Sequence, residues 1–270
     1  MRTQIIWAII KKDLKDVRSS TMLIGPVFIP QTATCFLLPA VFMILTYVLK
    51  DKLVAGLPFL TESLTPLYNI PQRFSRGYEK IAYIFANFSF IPLLALMPLQ
   101  AAMVIAANSF IGEKERKTLE TLLYSPVRNG EFVLAKLMTV LVPSVLLTFA
   151  ECLIYYLICN GLSYIFGGYF ILIGSALFLT AFIFSPAVSF FGLTLIMLIS
   201  IKAKSHAEAD FISGLFVLPF ASLMVAQVSA LYKLTGMQII ISGIIMTLIG
   251  VLLILKAAPR FERENIIKTF

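Results

Sequence analysis

Six stretches of about 20 predominantly apolar residues run along the chain, at about 27–49, 84–107, 137–160, 177–201, 211–230 and 238–257. Each is long enough to cross a hydrocarbon layer roughly 30 Å thick as a helix. The alternating pattern of a membrane barrel is absent, and a lipid-exposed backbone must satisfy its own hydrogen bonds. The predicted fold is therefore all-α, a polytopic membrane protein with six transmembrane helices. The region 161–201, with Pro186 inside it, has the length for two crossings. A seventh crossing would put the basic tail residues Arg260, Arg263 and Lys268 on the wrong side for the charge rule. One span is preferred there, preceded by an interfacial or partly re-entrant stretch around Gly161–Gly174.

Ahead of the first span, Ile6, Ile9, Ile10, Leu14 and Val17 recur at helical spacing, with charges filling the other side. This predicts an amphipathic helix over residues 1–20, lying on the inner membrane face with Trp7 at the boundary. A helix packed on other parts of the same protein fits the pattern equally well. A cleaved signal does not fit, because Ile5–Ile10 is short and runs straight into Lys11, Lys12 and Asp13 with no small-residue cleavage site. The expected organisation is a face-lying helix (1–20), a six-span membrane unit (21–258) and a cytoplasmic tail (259–270).

Composition agrees with this class: 59% of residues are hydrophobic and 13% charged, and the mean hydropathy is +0.93. Charge placement orients the chain. With both termini cytoplasmic, 16 of the 22 Lys and Arg residues lie inside, and only Lys50, Lys52, Arg73, Arg76, Lys80 and Lys233 lie outside. The positive-inside rule favours that arrangement in a plasma membrane. Basic inner loops facing anionic lipid headgroups account for the net charge of +8 without nucleic acid.

Candidate chemistry is sparse. Cys35, Cys152 and Cys159 all fall inside predicted spans, with no CxxC pair or Cys/His cluster, so neither a metal site nor a structural disulfide is expected. The one histidine, His206, lies in a short polar loop, which leaves a Ser–His or HExxH site without its base or ligands. No GxxxxGK[ST] phosphate loop is present, so the chain is read as no enzyme, and any ATP it uses must be hydrolysed elsewhere. Glu151 is the exception, a carboxylate in the middle of the third span, where it costs about 2.5–3.5 kcal/mol unless it meets water or a partner. Two readings of it stand. It lines or titrates in a substrate or ion path, or it is a protonated or hydrogen-bonded carboxyl between helices, for instance to Ser144, Thr148 or a tyrosine such as Tyr155.

The most informative segment lies between the second and third spans, Gly112-Glu-Lys-Glu-Arg-Lys-Thr-Leu-Glu120, followed by Leu122, Leu123, Pro126 and Val127. It carries a charged face and, through Leu119, Leu122 and Leu123, an apolar stripe at helical spacing. Glu113, Glu115-Arg116, Thr118-Leu119-Glu120, Leu122-Leu123, Pro126-Val127, Glu131 and Lys136 resemble the signature of ABC type-2 (ABC-2) exporter permeases, roughly E-x-E-R-G-T-L-E-x-L-L-x-x-P-V with a G-K pair opening the third span. Lys117 stands where glycine is common, and Ala135 where the glycine of that pair would be. The start Lys12-Asp13-Leu14-Lys15-Asp16 and the loop Lys202–Asp210 are also similar to the family's.

The resemblance implies two six-span subunits, each bound to a cytoplasmic ABC ATPase through a coupling helix. Here Glu113, Glu115, Arg116, Lys117 and Glu120 would form the charged contacts and Leu119, Leu122 and Leu123 the apolar ones, with Pro126 ending the element. ATP and Mg would sit at that partner, with no cofactor on this chain, and the second permease would be another copy or a related chain. A non-transporting membrane anchor, such as an immunity or sensor protein that sequesters a membrane-active compound, is the reading from another class. An ordinary solvated loop is the plain alternative for the segment itself. The loop from Lys50 to Ala82, rich in proline and aromatic residues, is expected to be irregular and either caps an exit or is a spacer.

Overall fold

The computed structural model describes residues 3–19, 25, 29, 33–56, 58, 62, 68, 70–112, 129–171, 174–202, 211, 214–229 and 235–257. Every regular element among them is helical: α1 (Thr3–Ser19), α2 (Cys35–Leu49), α3 (Asp51–Gly56), α4 (Gly77–Gly112), α5 (Asn129–Gly167), α6 (Ser175–Ser200), α7 (Val217–Val228) and α8 (Gly236–Ala257). Four of these, α4, α5, α6 and α8, are long and apolar enough to cross a membrane. The first and fifth apolar windows hold the shorter helices α2 and α7.

Two helices outrun their windows. α5 has 39 residues, about 58 Å at 1.5 Å per residue, nearly twice the hydrocarbon thickness. Residues 161–167, expected as an interfacial or re-entrant stretch, are instead its last turns. The stop comes at Gly168, which has φ +73° and donates its N–H to the Tyr164 carbonyl at 3.0 Å. Glycine takes this left-handed conformation at a helix end without a Cβ penalty. The region after it holds one long helix, α6, as a single crossing requires.

α4 is the central helix. Of its most apolar window 82% is buried, against 17% for the peripheral α8. Ala101, Ala102, Ala106 and Ala107 are all buried along it, and their small side chains let neighbouring backbones approach. α6 packs on both α4 and α8, while α5 packs on α1, α2, α4 and α6. The α4–α6 approach is tight at Gly192, where an added Cβ would stand 2.8 Å from Leu99 Cδ1 and 3.3 Å from the Leu99 carbonyl oxygen. Gly192→Val is expected to destabilise the bundle by about 1–3 kcal/mol. Gly161→Ala, with nothing within 4 Å of the added carbon, is expected to be neutral or slightly stabilising. Thermal unfolding of the two variants side by side measures the contrast.

Three of the four π turns have a common cause. In Ala33–Leu37, Phe85–Ser89 and Thr180–Phe184, one residue lies four positions before a proline: Cys35 before Pro39, Phe88 before Pro92 and Phe182 before Pro186. Proline has no N–H to offer that carbonyl, and its ring crowds it. A widened turn relieves the crowding. The fourth π turn, Asn108–Gly112, has no such proline and ends α4 where the charged segment begins.

Candidate functional site

Nine of the residues expected to contact an ATPase, Glu113, Glu115, Arg116, Lys117, Leu119, Glu120, Leu122, Leu123 and Pro126, lie outside the described residues, as do His206 and the tail. What the structure places is the frame on either side of that segment. Lys136, two turns into α5, is fully buried. Its ammonium donates to Asp13 Oδ2 at 2.8 Å and to the Ser109 carbonyl at 2.9 Å. Ser109 Oγ donates to the same Asp13 oxygen at 3.0 Å. The rings of Phe132 and Phe110 lie 5.6 and 5.9 Å from the ammonium, within range of a cation–π attraction.

Three elements therefore meet on one buried charge pair: α1 through Asp13, the last turn of α4 through Ser109, and the start of α5 through Lys136. Asp13 is drawn there by the face of α1 that it occupies. Ile9, one turn earlier, is buried and packs in a small cluster with Ala135, flanked by Ile10 and Leu134. Lys11, Lys12, Lys15 and Trp7 are exposed on the other side, Trp7 at 65%. The helix thus docks one face on α5 and leaves an aromatic and three cations outward. Glu131, in the first turn of α5, is also buried and puts a carboxylate near the positive end of the helix.

Sequence reasoning had Lys136 from the motif and Asp13 from the opening charges, but not their pairing, and it missed Ser109. A signal existed: Asp13 falls on the apolar stripe of α1, four residues after Ile9, where a carboxylate needs a buried partner.

At the other end of the bundle, aromatic side chains of the 68–84 region fold over the helix ends. Phe74 packs on Tyr83 and Tyr169 at ring distances of 5.0 and 5.4 Å, and Tyr47 of α2 on Tyr78 at 6.2 Å. The Tyr47 hydroxyl lies 3.0 Å from the Tyr169 hydroxyl and 3.2 Å from Ser163 Oγ. Burial lifts the Tyr169 phenol further above its ordinary range, so it remains a neutral hydrogen-bonding group at physiological pH. Tyr68, Phe74 and Tyr78 are buried against the helix ends, while Asp51, Lys52, Arg73 and Arg76 of the same loop are exposed.

Glu151 lies midway along α5 on its buried face, 7% exposed. Neither carboxylate oxygen has a hydrogen-bond partner among the described residues. The three partners proposed for it are otherwise engaged: Ser144 Oγ donates to the Val140 carbonyl, Thr148 Oγ1 to the Ser144 carbonyl, and the Tyr155 hydroxyl to the Ala86 carbonyl at 2.8 Å. Helical hydroxyls commonly turn back on their own backbone in this way. Tyr155 instead braces the π turn of α4, and Tyr155→Phe is expected to cost about 1–3 kcal/mol by orphaning a buried carbonyl, read as a lower midpoint of thermal unfolding.

A family-level comparison covers nearly all of this architecture. Residues 7–266 match the family model described as ABC-2 family transporter protein. The chain belongs to the ABC-2 transporter family. Comparison with curated proteins returns no match. As an ABC-2 permease it is a multi-pass membrane component of a transporter and not itself the catalyst, and permeases of this family generally partner with an ABC ATPase.

Proposed function

We propose that this ABC-2 permease forms the membrane half of an ATP-driven exporter. A separate cytoplasmic ATPase docks on residues 113–126, and a second permease, either another copy or a related chain, completes the path. In this reading the chain crosses a plasma membrane six times with both termini cytoplasmic. Mg-ATP binds the partner, and the cargo is a drug, a peptide, or a lipid-linked or ionic compound.

The observation that supports this best is the buried Asp13–Ser109–Lys136 junction. The segment 113–128 leaves α4 three residues after Ser109 and returns to α5 seven residues before Lys136. A push on the docked segment therefore acts on two helix ends that are clamped to each other and to α1. Close-packed helices joined by a buried ion pair move together instead of deforming separately. The positively charged outward face of α1 suits an anionic lipid surface on the same side.

Co-expression with a candidate ABC ATPase, purification through a tag on the permease and counting of both chains tests the reading. The expected complex holds two ATPase and two permease chains. A permease that purifies alone under conditions where the ATPase is folded and abundant contradicts it.

A further inference from the structure

We propose that Glu151 is the anionic half of a binding site for one monovalent cation at mid-membrane depth, among α4, α5 and α6. The proposal starts from an imbalance: a carboxylate that is 7% exposed, with both oxygens unpartnered among the described residues. An unpaired buried charge is among the costliest features a membrane helix can carry.

Its neighbours set its depth. Two residues before it, the Phe149 ring lies 4.8 Å from Phe182 in the π turn of α6. Four residues after it, Tyr155 meets Phe90 and the Ala86 carbonyl at the π turn of α4. Glu151 therefore lies between the levels of two widened turns, one ahead of Pro92 and one ahead of Pro186. Two further buried oxygens without partners lie at these turns, Ser89 Oγ on α4 and Ser185 Oγ on α6. By helical rise they fall within about one to two turns of Glu151 in depth.

A buried carboxylate, with unpartnered hydroxyl oxygens one to two turns away on the helices packed against it, offers oxygen ligands of the kind that suit a hard cation or an ammonium group. Charge fixes the valence. No group of three His, Cys, Asp or Glu able to hold a metal occurs among the described residues. One carboxylate neutralises one positive charge, and a divalent ion would keep an uncompensated charge in a low-dielectric interior. The shared chemistry is thus a single positive charge, carried by an alkali ion or by the protonated amine of an amphipathic cargo. Calling the occupant cargo or co-ion rests on the exporter reading; its binding does not.

The test uses the full chain in lipid nanodiscs, with thermal unfolding followed in sodium, potassium and phenethylammonium chlorides. N-methyl-D-glucamine chloride at matched ionic strength is the bulky reference. At least one test cation is expected to raise the wild-type midpoint saturably by about 3–6 °C. The shift should vanish in Glu151→Gln and need at least threefold more cation in Glu151→Asp. A response to sodium or potassium alone identifies an inorganic ion, and a response to phenethylammonium alone identifies an amine. No saturable shift in the wild type overturns the proposal, as does an equal shift in Glu151→Gln. If Glu151→Gln fails to fold, an unchanged half-saturation in Glu151→Asp overturns it. Neither ATP nor a partner is needed, so a negative result leaves the exporter reading standing. Loss of coupling to an ATPase would end that reading without touching this site.

Discussion

Replacing Lys136 with alanine is expected to destabilise the protein by about 3–5 kcal/mol, the largest effect of any single truncation at the inner junction. The reason is asymmetry. Lys136 is fully buried and Asp13 is 5% exposed, so removing the ammonium leaves a carboxylate enclosed with, among the described residues, the Ser109 hydroxyl and the half-exposed Lys12 as its remaining polar contacts. Asp13→Ala strands the ammonium in the same way, against the Ser109 carbonyl and two rings. Removing both charges together, as Asp13→Asn with Lys136→Met, should cost much less than the sum of the single changes, because the desolvation penalty goes with the attraction. Lys136→Arg should not rescue, since a larger planar group has no free volume there. Thermal or denaturant unfolding in one detergent measures all four. Single variants within about 0.5 kcal/mol of wild type would mean that the pair is not closed in the membrane-embedded protein.

The second large effect concerns assembly. Leu122→Asp combined with Leu123→Asp is expected to weaken capture of the ATPase by at least about tenfold, because two apolar anchors, each contributing roughly 1.5–3 kcal/mol when buried, become charged. The amount of permease in the membrane should stay near the wild-type level, since the segment lies between the apolar windows of the sequence. Lys117→Gly, which restores the family's common residue, should retain capture. The measurement is the ATPase-to-permease ratio after tagged purification. An unchanged ratio in the double variant would place the docking surface elsewhere.

These two regions show what could be read from the residues and what could not. Windows of 20 apolar residues located the four helices long and apolar enough to cross a membrane, α4, α5, α6 and α8, while two further windows hold the shorter α2 and α7. The windows cut α5 short at both ends. Residues 129–136 and 161–167 include Glu131, Lys136 and Ser163, which lower hydropathy yet are buried against neighbouring helices. Pro92 and Pro186 follow π turns, whereas Pro98 and Pro143 sit in plain α-helix, so a proline in the sequence does not by itself mark a widened turn. Glu151 was legible as an anomaly from its position alone. Its lack of a partner was not, because Ser144, Thr148 and Tyr155 are near it in sequence while their hydroxyls point to backbone carbonyls. Ser109 carries no signal by itself, since an ordinary serine becomes part of the junction only when α4 ends beside Asp13.

The most direct test is ATP hydrolysis by the partner ATPase reconstituted in lipid with and without this chain. The expected result is hydrolysis that rises when the permease is present and falls back to the level of the ATPase alone with Leu122→Asp/Leu123→Asp. Hydrolysis indifferent to the permease, or equally stimulated by that variant, would contradict the claim that residues 113–126 draw work from an ATPase.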